Sequence, residues 1–80
     1  MQPKERIRQF ILKNFYVADA ASLLDDTSLL DQGIIDSTGV LEVIAFIEDE
    51  FGVKVEDEEM LPENLDSIDR IDAFVARKKA

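Results

Sequence analysis

The sequence predicts an all-α protein: a small antiparallel helix bundle with three main helices, one short helix, and a long loop between helices 1 and 2. Apolar residues recur at three- and four-residue spacing in three separate segments, which is the period of an amphipathic helix. Residues that favour the starts and ends of helices flank these segments. The 80 residues contain no internal repeat and no Pro/Gly/Ser-rich linker, so we expect residues 1–80 to form one domain.

The first predicted helix covers about residues 3–16, and Pro3 suits its first position. Apolar residues follow at helical spacing: Ile7, Phe10, Ile11 and Phe15. Residues 17–36 have no such period and contain turn-forming Asp, Ser and Gly, which predicts a long loop. The loop contains three apolar pairs: Leu23-Leu24, Leu29-Leu30 and Ile34-Ile35. We expect these pairs to hold the loop against the core.

The second helix is predicted to begin at Asp36-Ser37 and to end at Phe51, where Gly52 suits a C-terminal cap. Its predicted core-facing stripe is Val40, Ile44, Ile47 and Phe51. Three further apolar residues lie outside or at the edge of that stripe: Leu41, Val43 and Phe46. Since a surface helix of a small domain needs only one apolar stripe, the extra apolar surface is a candidate docking face.

The rest of the chain predicts a short helix and a last long helix. After a short extended stretch at residues 53–55, residues 56–61 can form little more than one turn, which we expect Pro62 to stop. The last helix would open at Asp66 or Ser67, either of which is a good N-cap, and would end in a basic turn. Its inward-facing residues would be Ile68, Ile71, Phe74 and Val75.

The composition excludes most enzyme classes. Without Cys or His the chain has no thiolate nucleophile, no disulfide, no zinc-binding thiolate and no imidazole acid or base. The 18 acids against 9 bases give a net charge of -9, which disfavours nucleic acids and anionic membranes as partners. Because no apolar run has the length of a signal peptide or a membrane span, we expect a cytoplasmic protein.

The negative charge belongs to the middle of the chain. Residues 14–69 hold sixteen acids and one base, whereas residues 1–13 and residues 70–80 each have a net charge of +3. A basic partner surface is the natural complement of such a segment. The acids between Asp25 and Gly33 do not have the spacing of a calcium-binding EF-hand loop, so we expect no metal site.

Ser37 is the residue best placed for chemistry. It follows Asp36 at the start of the most apolar helix, where free backbone N–H groups and the helix dipole favour a bound or attached phosphate. The alternative is that Asp and Ser are simply preferred N-cap residues. Gly39 in the first turn is a poor helix former and costs about 0.5–1 kcal/mol relative to Ala, so this start is not optimised for stability alone.

The wider segment resembles the acyl carrier protein family around its prosthetic-group attachment site. Residues 29–55 read LLDQGIIDSTGVLEVIAFIEDEFGVKV, in which an Asp-Ser pair opens an apolar helix that closes on Glu-Asp-Glu-Phe-Gly. Residues 60–68, MLPENLDSI, are similar to the third helical turn of the family and the start of its last helix. The family motif places the attachment serine at Ser37.

The resemblance implies a carrier and not an enzyme. A phosphopantetheinyl transferase would move 4′-phosphopantetheine from coenzyme A onto Ser37, and Asp36 would help to orient the transferase and its magnesium ion. The arm would carry acyl or aminoacyl groups as thioesters, loaded by a ligase or transferase and delivered to biosynthetic enzymes with basic docking patches. Those enzymes would belong to fatty-acid, polyketide or specialised pathways. We expect the carrier itself to be a monomer that binds neither nucleic acid nor membranes.

The resemblance assigns partner binding on helix 2 to Glu42, Glu48 and Asp49, and we expect Thr38 and Val43 to belong to the same set. The acids in this set would either attract basic partners or merely keep the helix soluble, and Val43 would line either the docking surface or the core. Many fatty-acid carriers have Leu after the serine where this chain has Thr38, which leaves the cargo open. The alternative function is an unmodified acidic interaction module that binds a basic partner.

Overall fold

The computed structural model describes residues 3–79, in which 64% of the chain is helical and no strand occurs. Four α-helices follow one another: α1 (Pro3–Asn14), α2 (Ser37–Phe51), α3 (Pro62–Leu65) and α4 (Ile68–Lys79). Two short 3₁₀ turns lie between them, at Ala20–Ser22 and Asp57–Glu59. The predicted all-α bundle of three main helices and one short helix is therefore confirmed.

The helices enclose one core, and α4 packs against both α1 and α3. The largest fully buried side chains come from all four helices and from the loop between α1 and α2: Ile7, Ile11, Leu29, Val43, Ile47, Leu65, Ile68, Ile71, Phe74 and Val75. A second apolar contact joins α1 to α2, where the rings of Phe10 and Phe46 stack with centroids 4.1 Å apart. No helix within residues 3–79 has the length and apolar character that crossing a bilayer requires.

The long loop lies against the core, as the apolar pairs predict. One residue of each pair is buried, namely Leu23, Leu29 and Ile35, while Leu24 is 58% exposed. The first helix ends two residues earlier than the predicted residue 16, at Asn14. The boundaries of the loop are thus slightly wider than predicted, and it contains the 3₁₀ turn at Ala20–Ser22.

The residue pattern at 56–61 misplaces the short helix, whereas the resemblance over residues 60–68 places it correctly. We expected a turn at residues 56–61 that Pro62 would stop, but Pro62 instead begins α3, and only Asp57–Glu59 form a 3₁₀ turn before it. The reason is physical: proline lacks the N–H that the first helical residue does not need, and its fixed φ suits that position.

The core-facing stripe of α2 is rotated around the helix from the predicted one. The buried residues are Gly39, Val43, Ile44 and Ile47, whereas Val40 and Phe51 are half-buried at the edges. The predicted C-terminal cap is confirmed, because Gly52 adopts φ 68° and its N–H donates to the carbonyl of Glu48. Glycine tolerates this left-handed conformation without the steric cost that other residues carry.

Candidate functional site

The start of α2 separates the roles of Asp36 and Ser37, which the sequence left open. Asp36 is the N-cap: its Oδ1 accepts a hydrogen bond of 2.8 Å from the N–H of Gly39, and its carbonyl accepts one of 2.9 Å from Val40. Ser37 is therefore the first helical residue, and its side chain is exposed. Its hydroxyl makes no hydrogen bond within residues 3–79 and is free to react or to bind.

Gly39 lets the start of α2 approach its neighbours closely. The residue is buried, and a Cβ added to it would lie 3.0 Å from Cε1 of Phe15 and 3.2 Å from Cβ of Ile35. Both distances are shorter than ordinary van der Waals contact. A poor helix former thus occupies the first turn because the end of α1 and the loop before α2 leave no room for a side chain.

An apolar pocket opens directly beside Ser37. Its volume is about 280 Å³, and apart from Ser37 its lining is entirely apolar: Leu30, Val40, Met60, Leu61, Pro62 and Leu65. One wall comes from the loop before α2, and the opposite wall comes from α3 and the residues that precede it. Part of the pocket lining thus belongs to α3, which begins at Pro62.

The predicted partner-binding residues do not all face solvent. Thr38, Glu42 and Asp49 are exposed, as a docking role requires. Val43 is only 1% exposed and packs in the core, so its assignment to the docking surface is wrong. The cause is the rotated stripe of α2, which turns this position inward. Glu48 is half-buried, and its Oε2 accepts a 2.9 Å hydrogen bond from the N–H of Val55, so it braces the chain that leaves α2.

Leu41 is the exposed member of the apolar docking face predicted on α2, since Val43 is buried and Phe46 is half-buried. Its side chain is 60% exposed, although it lies one turn after Ser37 in the middle of an apolar helix. The sequence indicates this exposure, because Leu41 falls outside the predicted core stripe. Leu41 lies four residues after Ser37, which places both residues on the same face of the helix. Leu41 and Leu61, which is 41% exposed, give this end of the molecule its apolar surface.

The basic ends of the chain neutralise acids away from Ser37. Within residues 3–79 the ion pairs are Lys4 with Asp25 and Asp69, Arg6 with Glu50, Arg8 with Asp25, and Lys78 with Glu59. The hydrogen bond to Asp69 raises the pKa of Lys4, and that from Lys78 lowers the pKa of Glu59.

None of these ion pairs involves Asp36, Glu42 or Asp49. These three acids are exposed and keep their charge facing solvent, whereas Asp25, Glu50, Glu59 and Asp69 are paired. Among the described residues no group of three potential metal ligands comes together.

A known protein family matches the sequence of this chain. The sequence model of a family described as a phosphopantetheine attachment site matches residues 5–71. The match covers well over half of the chain and includes the start of α2 with Ser37. A comparison with curated proteins gives no match.

Proposed function

Because the chain belongs to the phosphopantetheine attachment site family, we propose that it is an acyl carrier protein whose 4′-phosphopantetheine is attached to Ser37. Covalent attachment of 4′-phosphopantetheine follows from the family, whereas the choice of residue is our proposal. One observation carries that choice: Asp36 caps α2, which leaves the hydroxyl of Ser37 exposed and without a hydrogen bond within residues 3–79.

The residues around Ser37 fit a phosphodiester. In the first turn of α2 the N–H groups of Gly39 and Val40 donate to Asp36, while those of Ser37 and Thr38 have no partner within residues 3–79. These two groups and the positive end of the helix dipole stabilise a nearby phosphate by about 0.3–1 kcal/mol at an exposed position. Asp36 fixes the first turn and so holds the Ser37 hydroxyl outward. We assign its carboxylate the further role of orienting the phosphopantetheinyl transferase and its magnesium ion.

Attachment balances without any oxidant or reductant. Ser37 Oγ forms a bond to the phosphorus that bears pantetheine in coenzyme A, while the bond from that phosphorus to the bridging oxygen breaks. The adenosine bisphosphate half of coenzyme A leaves, and the proton of Ser37 passes to a base of the transferase. The attached group supplies a flexible arm ending in a thiol, which holds acyl or aminoacyl cargo as a thioester. The chain itself has no cysteine that could take this role.

The exposed acids of α2 support docking to basic partner enzymes. Glu42 and Asp49 are exposed and outside the ion pairs of residues 3–79, and Leu41 adds an apolar contact. A surface of one charge sign accelerates encounter and orients the partner, whereas few apolar contacts keep the complex short-lived. Both properties suit a shuttle between a loading ligase or transferase and biosynthetic enzymes. We assign the chain no catalytic activity of its own, and leave fatty-acid, polyketide and specialised pathways open.

The test is intact mass after incubation of unmodified protein with coenzyme A, magnesium and a broad-specificity phosphopantetheinyl transferase. We expect the mass to rise by one phosphopantetheinyl group, and Ser37→Ala to abolish the change. The chain offers a matched control in Ser67→Ala, which removes the serine of the only other Asp-Ser pair and should leave modification intact.

Two results would overturn the assignment: no gain in mass, or a gain that persists in Ser37→Ala. The first would favour the alternative of an unmodified acidic interaction module. Such a module would bind a basic partner in a salt-sensitive way, and Ser37→Ala would not change that binding.

A further inference from the structure

The pocket beside Ser37 has two walls that are distant in sequence. Leu30 forms one wall, and Pro62 and Leu65 of α3 belong to the other. Asp66 directly follows α3 and caps its end, because its N–H donates a 2.9 Å hydrogen bond to the carbonyl of Pro62. Any contact between Asp66 and residues 28–31, which include Leu30, therefore sets the distance between Leu30 and α3 across the pocket.

The Asp66 side chain makes two such contacts. Oδ1 accepts a hydrogen bond of 2.9 Å from the N–H of Leu30, and Oδ2 accepts one of 2.6 Å from the hydroxyl of Ser28. The same Ser28 hydroxyl oxygen accepts a 3.2 Å bond from the N–H of Asp31. Both carboxylate oxygens thus hold residues 28–31 against the end of α3, and bonds to a charged acceptor are among the stronger ones in proteins.

We propose that Asp66 and Ser28 form a clasp that sets the width of the pocket beside Ser37 and thereby limits the size of the apolar group it admits. The proposal rests on the proposed function only in that a cargo attached through Ser37 would be the natural occupant. A pocket of about 280 Å³ lies just below the range of about 300–1,000 Å³ found for drug-sized ligands, which suits a short apolar group.

Release of the clasp widens the pocket without unfolding the loop. Leu29 is fully buried, and its N–H donates a 2.7 Å hydrogen bond to the backbone carbonyl of Asp66, which a side-chain substitution leaves in place. Leu29 therefore stays anchored while Leu30, whose N–H loses its acceptor, becomes free to move away from α3. Asp66 is a positioning residue in this scheme, since it acts through Leu30 and not by touching the cargo.

The probe for the test is a series of straight-chain alcohols of increasing length, bound to the unmodified protein. NMR shifts of the Leu30 and Leu65 methyl groups report occupation of the pocket. Affinity should rise about fourfold for each methylene that enters the pocket and then level off once it is full. We expect the plateau to begin at a longer chain in Asp66→Ala than in the native protein, together with faster amide exchange at Leu30.

Three variants separate the clasp from a general loss of stability. Asp66→Asn keeps an acceptor for Leu30 and a hydrogen-bonding group for Ser28, so it should restore the native plateau. Ser28→Ala breaks one half of the clasp and should give an intermediate plateau even if Asp66→Ala fails to fold. Ser67→Ala weakens the start of α4 but leaves the clasp intact, and should not move the plateau.

An unchanged plateau in both Asp66→Ala and Ser28→Ala would overturn the proposal, as would an equal change in Ser67→Ala. Because this assay uses unmodified protein and free alcohols, its outcome does not depend on attachment of a group to Ser37. Failure of attachment at Ser37 would appear only in the mass measurement, so the two proposals fail separately.

Discussion

Two Asp-Ser pairs lie at the starts of helices in this chain, and a different residue of each pair caps the helix. At residues 36–37 the aspartate caps α2 and the serine is exposed. At residues 66–67 the serine is 4% exposed and caps α4, since its Oγ accepts a 3.1 Å bond from the N–H of Arg70. The Asp66 side chain is therefore not needed to cap α4, and it binds the loop before α2 instead.

The difference teaches that the dipeptide alone does not define the site. Ser67 is buried beside the fully buried Ile68, and its hydroxyl caps α4. Thr38, which follows Ser37, is exposed, and the serine stays at the surface. The same two residues therefore give an exposed serine hydroxyl in one place and a buried cap in the other.

Replacing the serine of each Asp-Ser pair should give the largest difference in the free energy of unfolding between the two pairs. Ser67→Ala removes an N-cap acceptor in a buried position and should lower the free energy of unfolding by about 1.5 kcal/mol. Ser37→Ala removes an exposed hydroxyl without a partner, and should change it by less than about 0.5 kcal/mol. Urea denaturation of the two variants measures both values. Equal losses would contradict the assignment of the caps.

The aspartate of the first pair offers a smaller and more selective effect. Asp36→Ala should cost about 1 kcal/mol because the cap is lost, whereas Asp36→Asn keeps an equivalent cap and should stay near the native stability. If the carboxylate orients the transferase and magnesium, modification of Ser37 should slow in both variants. Comparing urea denaturation with the initial rate of mass gain separates the two roles. A native rate in Asp36→Asn would show that the charge is dispensable.

Local sequence signals predicted the parts of the fold that depend on near neighbours. Helical spacing, the Asp36-Ser37 start and the Gly52 cap lie within single segments, so they could be read correctly. The position of Val43 could not, because the spacing is compatible with several rotations of an apolar helix and only packing selects one. The clasp was also out of reach, since Ser28 and Asp66 are 38 residues apart and nothing in either segment indicates the other.

Pro62 shows a different limit. Proline ends a preceding helix and also favours the start of a following one, so the proline alone fits either interpretation. The structure selects the second, and part of the lining of the pocket beside Ser37 belongs to the helix that Pro62 begins. Ser37 could therefore be singled out from its own segment, whereas the pocket and the clasp required the packed chain.

The smallest expected effect is on the Tm, and it compares an acid in an ion pair, Glu59, with an acid that faces solvent, Glu42. Lys78 Nζ lies 2.8 Å from Glu59 Oε1 and lowers the pKa of that carboxyl. A carboxyl with a lowered pKa stabilises the fold above its unfolded pKa, about 4.3 for Glu, and this contribution disappears as the pH falls through the folded pKa. Glu59→Gln should therefore lower the Tm at pH 7, and the difference from the native protein should shrink below about pH 4.3.

Glu42→Gln is the matched control, because Glu42 is exposed and takes part in none of the ion pairs within residues 3–79. It should change the Tm at pH 7 less than Glu59→Gln does, since no ion pair is lost. It should instead slow association with a basic partner, and added salt should reduce that difference, because exposed charges act through a screened field. A larger loss of Tm in Glu42→Gln would mean that the acids near Ser37 stabilise the fold and are not kept free for partners.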